Sequence, residues 1–211
     1  MNFLAHLFLS NPEPDFRIGS LLGDFTSIPN AELHDHYNDS VAAGVLSHRL
    51  IDRFTDTNDH VKVAASLLFP KHRHFSRVAL DVFFDHLLIR NWNLFSFHDF
   101  GHFVEDVYNS FSSPSSDLPQ TFLLFLSNLM RYDVLRVYET LEGVEEVLGR
   151  MDKRYNYARK LEACYGDLCK YTGEIEREFL LFFPLLCAEA QRNWGWNGMR
   201  EFTDSSAQTA V

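Results

Sequence analysis

Apolar residues recur at helical spacing along most of the chain. Between Asn38 and Phe54 they return mostly every three or four positions, the spacing that lines one face of an α-helix. These residues are Val41, Val45, Leu46, Leu50 and Phe54. The same spacing predicts further helices over 2–10, 60–69, 76–91, 98–112, 119–130, 132–150 and 155–192. The alternating pattern of a half-buried strand is absent, so we expect an all-α, single-domain helical bundle.

Helix-breaking and capping residues set the expected ends of these elements. Pro70 is predicted to end the helix over 60–69, and Pro184 to kink or divide the last helix, because proline cannot donate the helical hydrogen bond. Ser76 is a predicted cap for the helix that follows it. The stretch 11–14, with two prolines, is predicted as a loop, and Ser20 to Phe25 as a short turn.

Length and charge narrow the class of protein. A chain of 211 residues suits one domain, which we place at 1–195, with a flexible tail over 196–211. A formal net charge of −10 disfavours nucleic-acid binding, since that requires a basic face. No apolar run is long enough to predict a membrane span, and no targeting segment is evident. The three cysteines lack metal-site or disulfide spacing, which favours reduced thiols and a cytoplasmic protein. The oligomeric state is left open.

Ionisable residues lie inside apolar segments at several places. Asp81, Asp85 and His86 interrupt one apolar helix, and His6 interrupts another. His48 and Asp52 lie four residues apart, as do Asp81 and Asp85, so each pair shares a helix face. Buried carboxylates need a partner, and a metal ion bound between helices would supply one.

Helix geometry and ligand chemistry refine this hypothesis. His86 points about 100° away from Asp85, so it could flank the site, support a ligand or satisfy the core. Asp24, in LLGDF, is a further carboxylate in an apolar setting. Imidazole and carboxylate ligands suit Mn²⁺, Mg²⁺ or Fe²⁺ better than thiolate-seeking ions. The alternatives are a core histidine at His6, a helix cap at Asp24 and ordinary ion pairs for the remaining residues.

Several motifs resemble the acyl carrier protein phosphodiesterase family. They are MNFLAHL at the N-terminus, GSLLGDF at 19–25, SHRLIDRFTD at 47–56, LDVFFDHLLIRNW at 80–92, VLGRMDKR at 147–154 and FLLFFPLL at 179–186. The resemblance implies an all-α relative of the HD-type metal phosphohydrolases. It also implies hydrolytic removal of 4′-phosphopantetheine from holo acyl carrier protein, with Mn²⁺ as the favoured ion.

The resemblance also suggests roles for individual residues. It implies metal ligands among His6, Asp24, His48, Asp81, Asp85 and His86, and catalytic roles for Asp24, His48, Arg49 and Asp52. Arg49 would hold a phosphate oxygen or pair with a carboxylate. The chain departs from the family pattern at Phe8, where a polar residue is expected, and over 25–38, which lacks expected basic residues. These departures bear on substrate preference.

The sequence is also compatible with two other functions. An HD-like nucleotide or small phosphoester hydrolase would use the same metal site, whereas a non-catalytic helical interaction module would need no metal. A carrier protein is acidic, so its docking would require a local basic surface. One candidate is the segment Lys71 to Arg77, and the second comprises Arg150, Lys153, Arg154, Arg159 and Lys160. Both could instead be ordinary solvated charges.

Overall fold

The computed structural model describes residues 1–112, 117–157 and 159–198, and all regular structure within these ranges is helical. The α-helices are α1 (Phe3–Phe8), α2 (Pro14–Leu22), α3 (Leu33–His36), α4 (Asp39–Thr57), α5 (Asp59–His72), α6 (Phe75–Arg90), α7 (Trp92–Phe95), α8 (Phe100–Ser110), α9 (Gln120–Arg131), α10 (Val134–Val137), α11 (Leu141–Tyr155), α12 (Tyr165–Lys170) and α13 (Thr172–Trp194). Short 3₁₀ turns cover Gly23–Phe25, Asn30–Glu32 and Glu162–Cys164. The predicted all-α fold is confirmed. The predicted flexible tail lies, from residue 199 onward, outside the described residues.

One continuous core joins the helices. Helix α2 packs along α4, while α5 packs against both α6 and α13. Phenylalanine rings fill the centre: Phe84 of α6 lies 5.4 Å from Phe179 and 5.9 Å from Phe182 of α13, measured between ring centroids. All three rings are fully buried. Aromatic residues bury large apolar areas, which accounts for a chain with twenty phenylalanines. No helix in the described ranges is both long and apolar enough to cross a membrane.

Helix α2 was not predicted: it begins at the end of the predicted loop over 11–14 and continues into the predicted turn of Ser20 to Phe25. Pro14 stands at the first helical position, where the missing N–H costs no helical hydrogen bond. The carboxylate of Glu13 accepts hydrogen bonds from the backbone N–H groups of Asp15 and Phe16, which caps the helix. The two prolines therefore flank a helix start, and only Gly23–Phe25 forms the predicted turn.

Four further boundary predictions were wrong. Pro70 lies inside the last turn of α5 instead of ending the helix before it, because packing of α5 against α6 and α13 outweighs the local cost of proline. Helix α13 is continuous through Pro184, so the chain is not divided there, and the alternative of a kink stays a prediction. Ser76 lies inside α6 rather than at its cap, and its hydroxyl donates to the carbonyl of Arg73. The predicted helices over 132–150 and 155–192 are each broken into shorter elements.

Candidate active site

Five of the candidate residues converge where α1, α4, α6 and the turn after α2 meet. His48 Nε2 lies 3.0 Å from Asp52 Oδ2 and 3.3 Å from Asp24 Oδ1. His6 Nε2 lies 3.2 Å from Asp52 Oδ1. Asp81 reaches the same group through the amino group of Met1, which lies 3.3 Å from Asp81 Oδ1 and 3.5 Å from Asp52 Oδ1.

The two imidazole rings of this cluster are parallel. The centroids of His6 and His48 are 4.0 Å apart, and the ring planes differ by 11°. One ligand atom from each of His6, His48 and Asp52 lies within 4.8 Å of the others. Two ring nitrogens and a carboxylate oxygen at this spacing could surround a divalent ion.

The orientation of His48 is set by the backbone of α2 and of the turn that follows it. Its Nδ1 lies 2.7 Å from the carbonyl oxygen of Ser20 and donates to it, since a carbonyl can only accept. This directs Nε2 towards the carboxylates of Asp24 and Asp52, where it could act as a metal ligand. A Cβ atom at Gly23 would lie 2.3 Å from Cγ of His48, so only glycine lets the turn approach the ring this closely. The same turn carries Asp24.

Charges within the cluster perturb one another strongly. Burial lowers the pKa of His48, but hydrogen bonds with Asp24 and Asp52 outweigh it and raise the pKa to about 9. Burial, reinforced by the charge of His48, lowers the pKa of His6 to about 4. Burial raises the pKa of Asp52, yet His48 and His6 hold it well below its usual range. The two histidines thus differ in protonation at neutral pH, with His48 charged and His6 neutral.

Asp85 has different partners from the cluster residues. Its Oδ2 accepts from the backbone N–H of Leu4 at 2.9 Å, and its Oδ1 from that of Ala5 at 3.1 Å. The carboxylate is completely buried, and this burial raises its pKa to about 7 despite the two amide donors. Asp85 therefore anchors the first turn of α1, the helix that carries His6. Its predicted role as a metal ligand stays a prediction.

His86 and Arg49 make their hydrogen bonds outside the cluster. His86 Nδ1 donates to the carbonyl of Tyr138 at 2.8 Å, and burial lowers its pKa. No contact joins His86 to the cluster in the part of the chain that the structure describes. Arg49 donates to Asn30 Oδ1 and, at 3.2 Å, to the carbonyl of Thr26. It holds the segment after Asp24 against α4, and its proposed contact with phosphate stays a prediction.

Sequence reasoning missed the backbone groups that position the site. The ring of His48 is oriented by the carbonyl of Ser20. The carboxylate of Asp85 is bound by the backbone amides of Leu4 and Ala5. No side-chain pattern reports such partners. Gly23, directly before Asp24, was the one available signal, because a glycine next to a candidate ligand indicates close backbone approach.

Comparison with known proteins identifies the family of the chain. The family model described as acyl carrier protein phosphodiesterase matches residues 1–186, which include every residue of the cluster. The chain belongs to the acyl carrier protein phosphodiesterase family. The chain is 30% identical over 193 residues to an acyl carrier protein phosphodiesterase of Yersinia enterocolitica, covering 90% of this chain and 98% of the relative.

Other relatives carry the same name. A Salmonella agona protein is 31% identical over 194 residues, covering 91% of this chain and 98% of the relative. A Photorhabdus laumondii protein is 27% identical over 192 residues, covering 90% and 96% respectively. No solved structure matches the chain, so the predicted kinship with HD-type phosphohydrolases stays a prediction.

Proposed function

We propose that this chain is a divalent-metal phosphodiesterase that acts on holo acyl carrier protein. It hydrolyses the phosphodiester that joins the carrier to the pantetheine arm, which releases 4′-phosphopantetheine and leaves the apo carrier. Membership of the family supports the substrate and reaction. Within this cluster, the ligand atoms of His6, His48 and Asp52 lie close enough together to hold a metal ion. This is the single observation on which the proposed metal dependence rests.

The donor atoms fit a divalent ion. Neither ring nitrogen of His6 has a hydrogen-bond partner among the described residues, although the side chain is buried. Its Nε2 is close to Asp52 but lacks hydrogen-bond geometry towards it. An unsatisfied buried nitrogen is costly, and a bound cation would satisfy it. We assign His6, His48 and Asp52 as ligands, with Asp24 and Asp81 able to complete the set; mixed nitrogen and oxygen donors favour Mn²⁺, Mg²⁺ or Fe²⁺.

Each residue has a proposed task in the reaction. The ion, when bound, polarises a phosphoryl oxygen and lowers the pKa of water. Asp24 has about half of its side chain exposed (52%), so its carboxylate can accept a hydrogen bond from the attacking water and orient it. Arg49, next to His48, would move from the Thr26 carbonyl to a phosphate oxygen, where its planar donors match the anion.

Mass spectrometry of the carrier tests this function. Incubation of holo carrier with the protein and Mn²⁺ should remove the mass of the prosthetic group. His48→Gln should abolish this loss, whereas His102→Gln, at an exposed histidine outside the cluster, should preserve it. A carrier of unchanged mass after incubation with metal-loaded, folded protein would contradict the proposal. Nucleotide hydrolysis under the same conditions would favour the broader phosphoester alternative.

A further inference from the structure

A cavity of about 200 Å³ lies beside the start of α1 and has no role in the chemistry above. Phe3, Tyr138, Val147 and Met151 supply its apolar lining, and Arg150 and Arg154 bring guanidinium groups to it. Tyr138 is fixed in place, because its hydroxyl accepts a hydrogen bond of 2.7 Å from Asn2 Nδ2.

Two sets of contacts connect the cavity with the cluster of candidate metal ligands. Met1 contacts Asp52 and Asp81, and Phe3 is two residues further along, so their Cα atoms are separated by at most about 8 Å. The second route is a row of half-buried aromatic rings. Phe25, next to Asp24 in sequence, lies 4.7 Å from Phe125, which lies 5.0 Å from Phe3. A row of packed apolar rings therefore leads from the residue next to Asp24 to Phe3 in the cavity wall.

Size and lining restrict what could bind there. Pockets for drug-sized ligands are typically about 300–1,000 Å³, so this smaller cavity suits a narrow chain better than a nucleoside. Apolar walls accompanied by two guanidinium groups fit a chain that carries methyl groups and amide carbonyls. We propose that this cavity holds the pantetheine arm of the carrier while its phosphodiester lies at the cluster. This inference rests on the proposed function and names the substrate subsite it requires.

Binding can be measured without catalysis. Protein labelled with ¹³C at the methionine methyl groups is titrated with free 4′-phosphopantetheine. We expect the Met151 signal to shift and saturate, and that of Met130, which does not line the cavity, to stay in place. An unmoved Met151 signal at saturating ligand would overturn the inference. Because this readout needs no turnover, a saturating shift without loss of mass from the carrier would refute the proposed function and retain the subsite.

Met151→Trp fills the cavity and tests its use during turnover. We expect the KM for holo carrier to rise about tenfold, with hydrolysis of bis(p-nitrophenyl) phosphate changed less than about twofold. Met130→Trp is the matched control, since both methionines are partly buried against the core. Equal losses on both substrates, or an unchanged KM in a folded variant, would count against the subsite. If Met151→Trp does not fold, the methyl titration of the unaltered chain still decides.

Discussion

Asp81 and Asp85 lie one turn apart on α6 and have different partners. The side chain of Asp81 is 38% exposed and faces the Met1 amino group, whereas Asp85 is completely buried and accepts two backbone N–H groups of α1. Burial raises the pKa of Asp85 to about 7. The two residues share a helix face but have different tasks. Asp81 lies at the site, and Asp85 holds α1 in place.

Replacement of each aspartate by asparagine should separate these tasks. In Asp85→Asn the amide NH₂ faces a backbone donor, so one buried N–H loses its acceptor, and the free energy of unfolding should fall by about 1–3 kcal/mol. Asp81→Asn, whose amide oxygen can still accept from the Met1 amino group, should lower stability less than Asp85→Asn and should weaken Mn²⁺ binding. Urea unfolding and metal titration of both variants measure the two effects. If Asp85→Asn kept its stability but lost the metal, Asp85 would be a ligand instead.

The unequal protonation of the two histidines predicts how metal binding depends on pH. His48, with a pKa of about 9, is protonated at pH 7.5, while His6, with a pKa of about 4, is neutral. An ion must displace the proton of His48, so binding should release about one proton and weaken as pH falls from 9 to 7. Calorimetry in buffers of different ionisation enthalpy counts the protons. Release of none, or affinity that is independent of pH, would contradict the assignment of His48 as a ligand.

Side-chain spacing predicts only part of such a site. His48 and Asp52 meet because four residues return a helix to the same face, and this follows from sequence alone. The approach of His6 and Asp24 to that pair depends on tertiary packing between helices. The tie of Asp85 to α1 and of His86 to Tyr138 depends on backbone groups, which every residue carries and no sequence pattern reveals.

At the scale of elements, the packing of α2 along α4 positions Ser20 and the turn with Asp24 against His48. This packing requires the backbones to approach closely: a Cβ atom at Gly44 would lie 2.2 Å from the carbonyl oxygen of Phe16. The periodicity of α4 predicted that helix well. It did not predict α2, because the prolines that begin α2 were assigned to a loop. The sequence therefore did not predict that a helix packs along α4, nor that this helix and the turn after it orient His48.

Gly44→Ala should disrupt this contact. The added methyl group must displace backbone atoms, so we expect the free energy of unfolding to fall by about 1–3 kcal/mol. Metal affinity should also weaken as the Ser20 carbonyl moves away from His48. The matched control is Gly149→Ala in α11, where a Cβ atom meets nothing within 4 Å. The control should gain about 0.5–1 kcal/mol through helix propensity. Equal stability of the two variants by urea unfolding would refute the close contact.

At the scale of the whole molecule, an acidic enzyme is expected to bind an acidic carrier. The net charge of −10 repels such a partner at long range, and ion pairs neutralise several basic residues of both candidate docking surfaces. Lys71 pairs with Asp167 and Arg77 with Asp56, while Arg150 pairs with Glu146. Arg154 forms no ion pair within the described ranges. Its guanidinium lies over the Tyr155 ring, 5.3 Å from the centroid, beside the cavity next to the site.

Arg154→Glu should therefore impair carrier turnover in a manner that depends on salt. At low ionic strength we expect kcat/KM for holo carrier to fall about tenfold, with recovery towards the value of the unaltered chain near 0.5 M salt, where charges are screened within a few ångströms. Hydrolysis of a small phosphodiester should not change. Arg131→Glu is a close control: it alters net charge equally, and Arg131 lies over the Tyr132 ring at 5.5 Å without lining the cavity. If both variants lost activity equally, net charge alone would govern the encounter. If Arg154→Glu had no effect and charge reversal at Arg73 did, the carrier would dock on the Lys71–Arg77 segment instead.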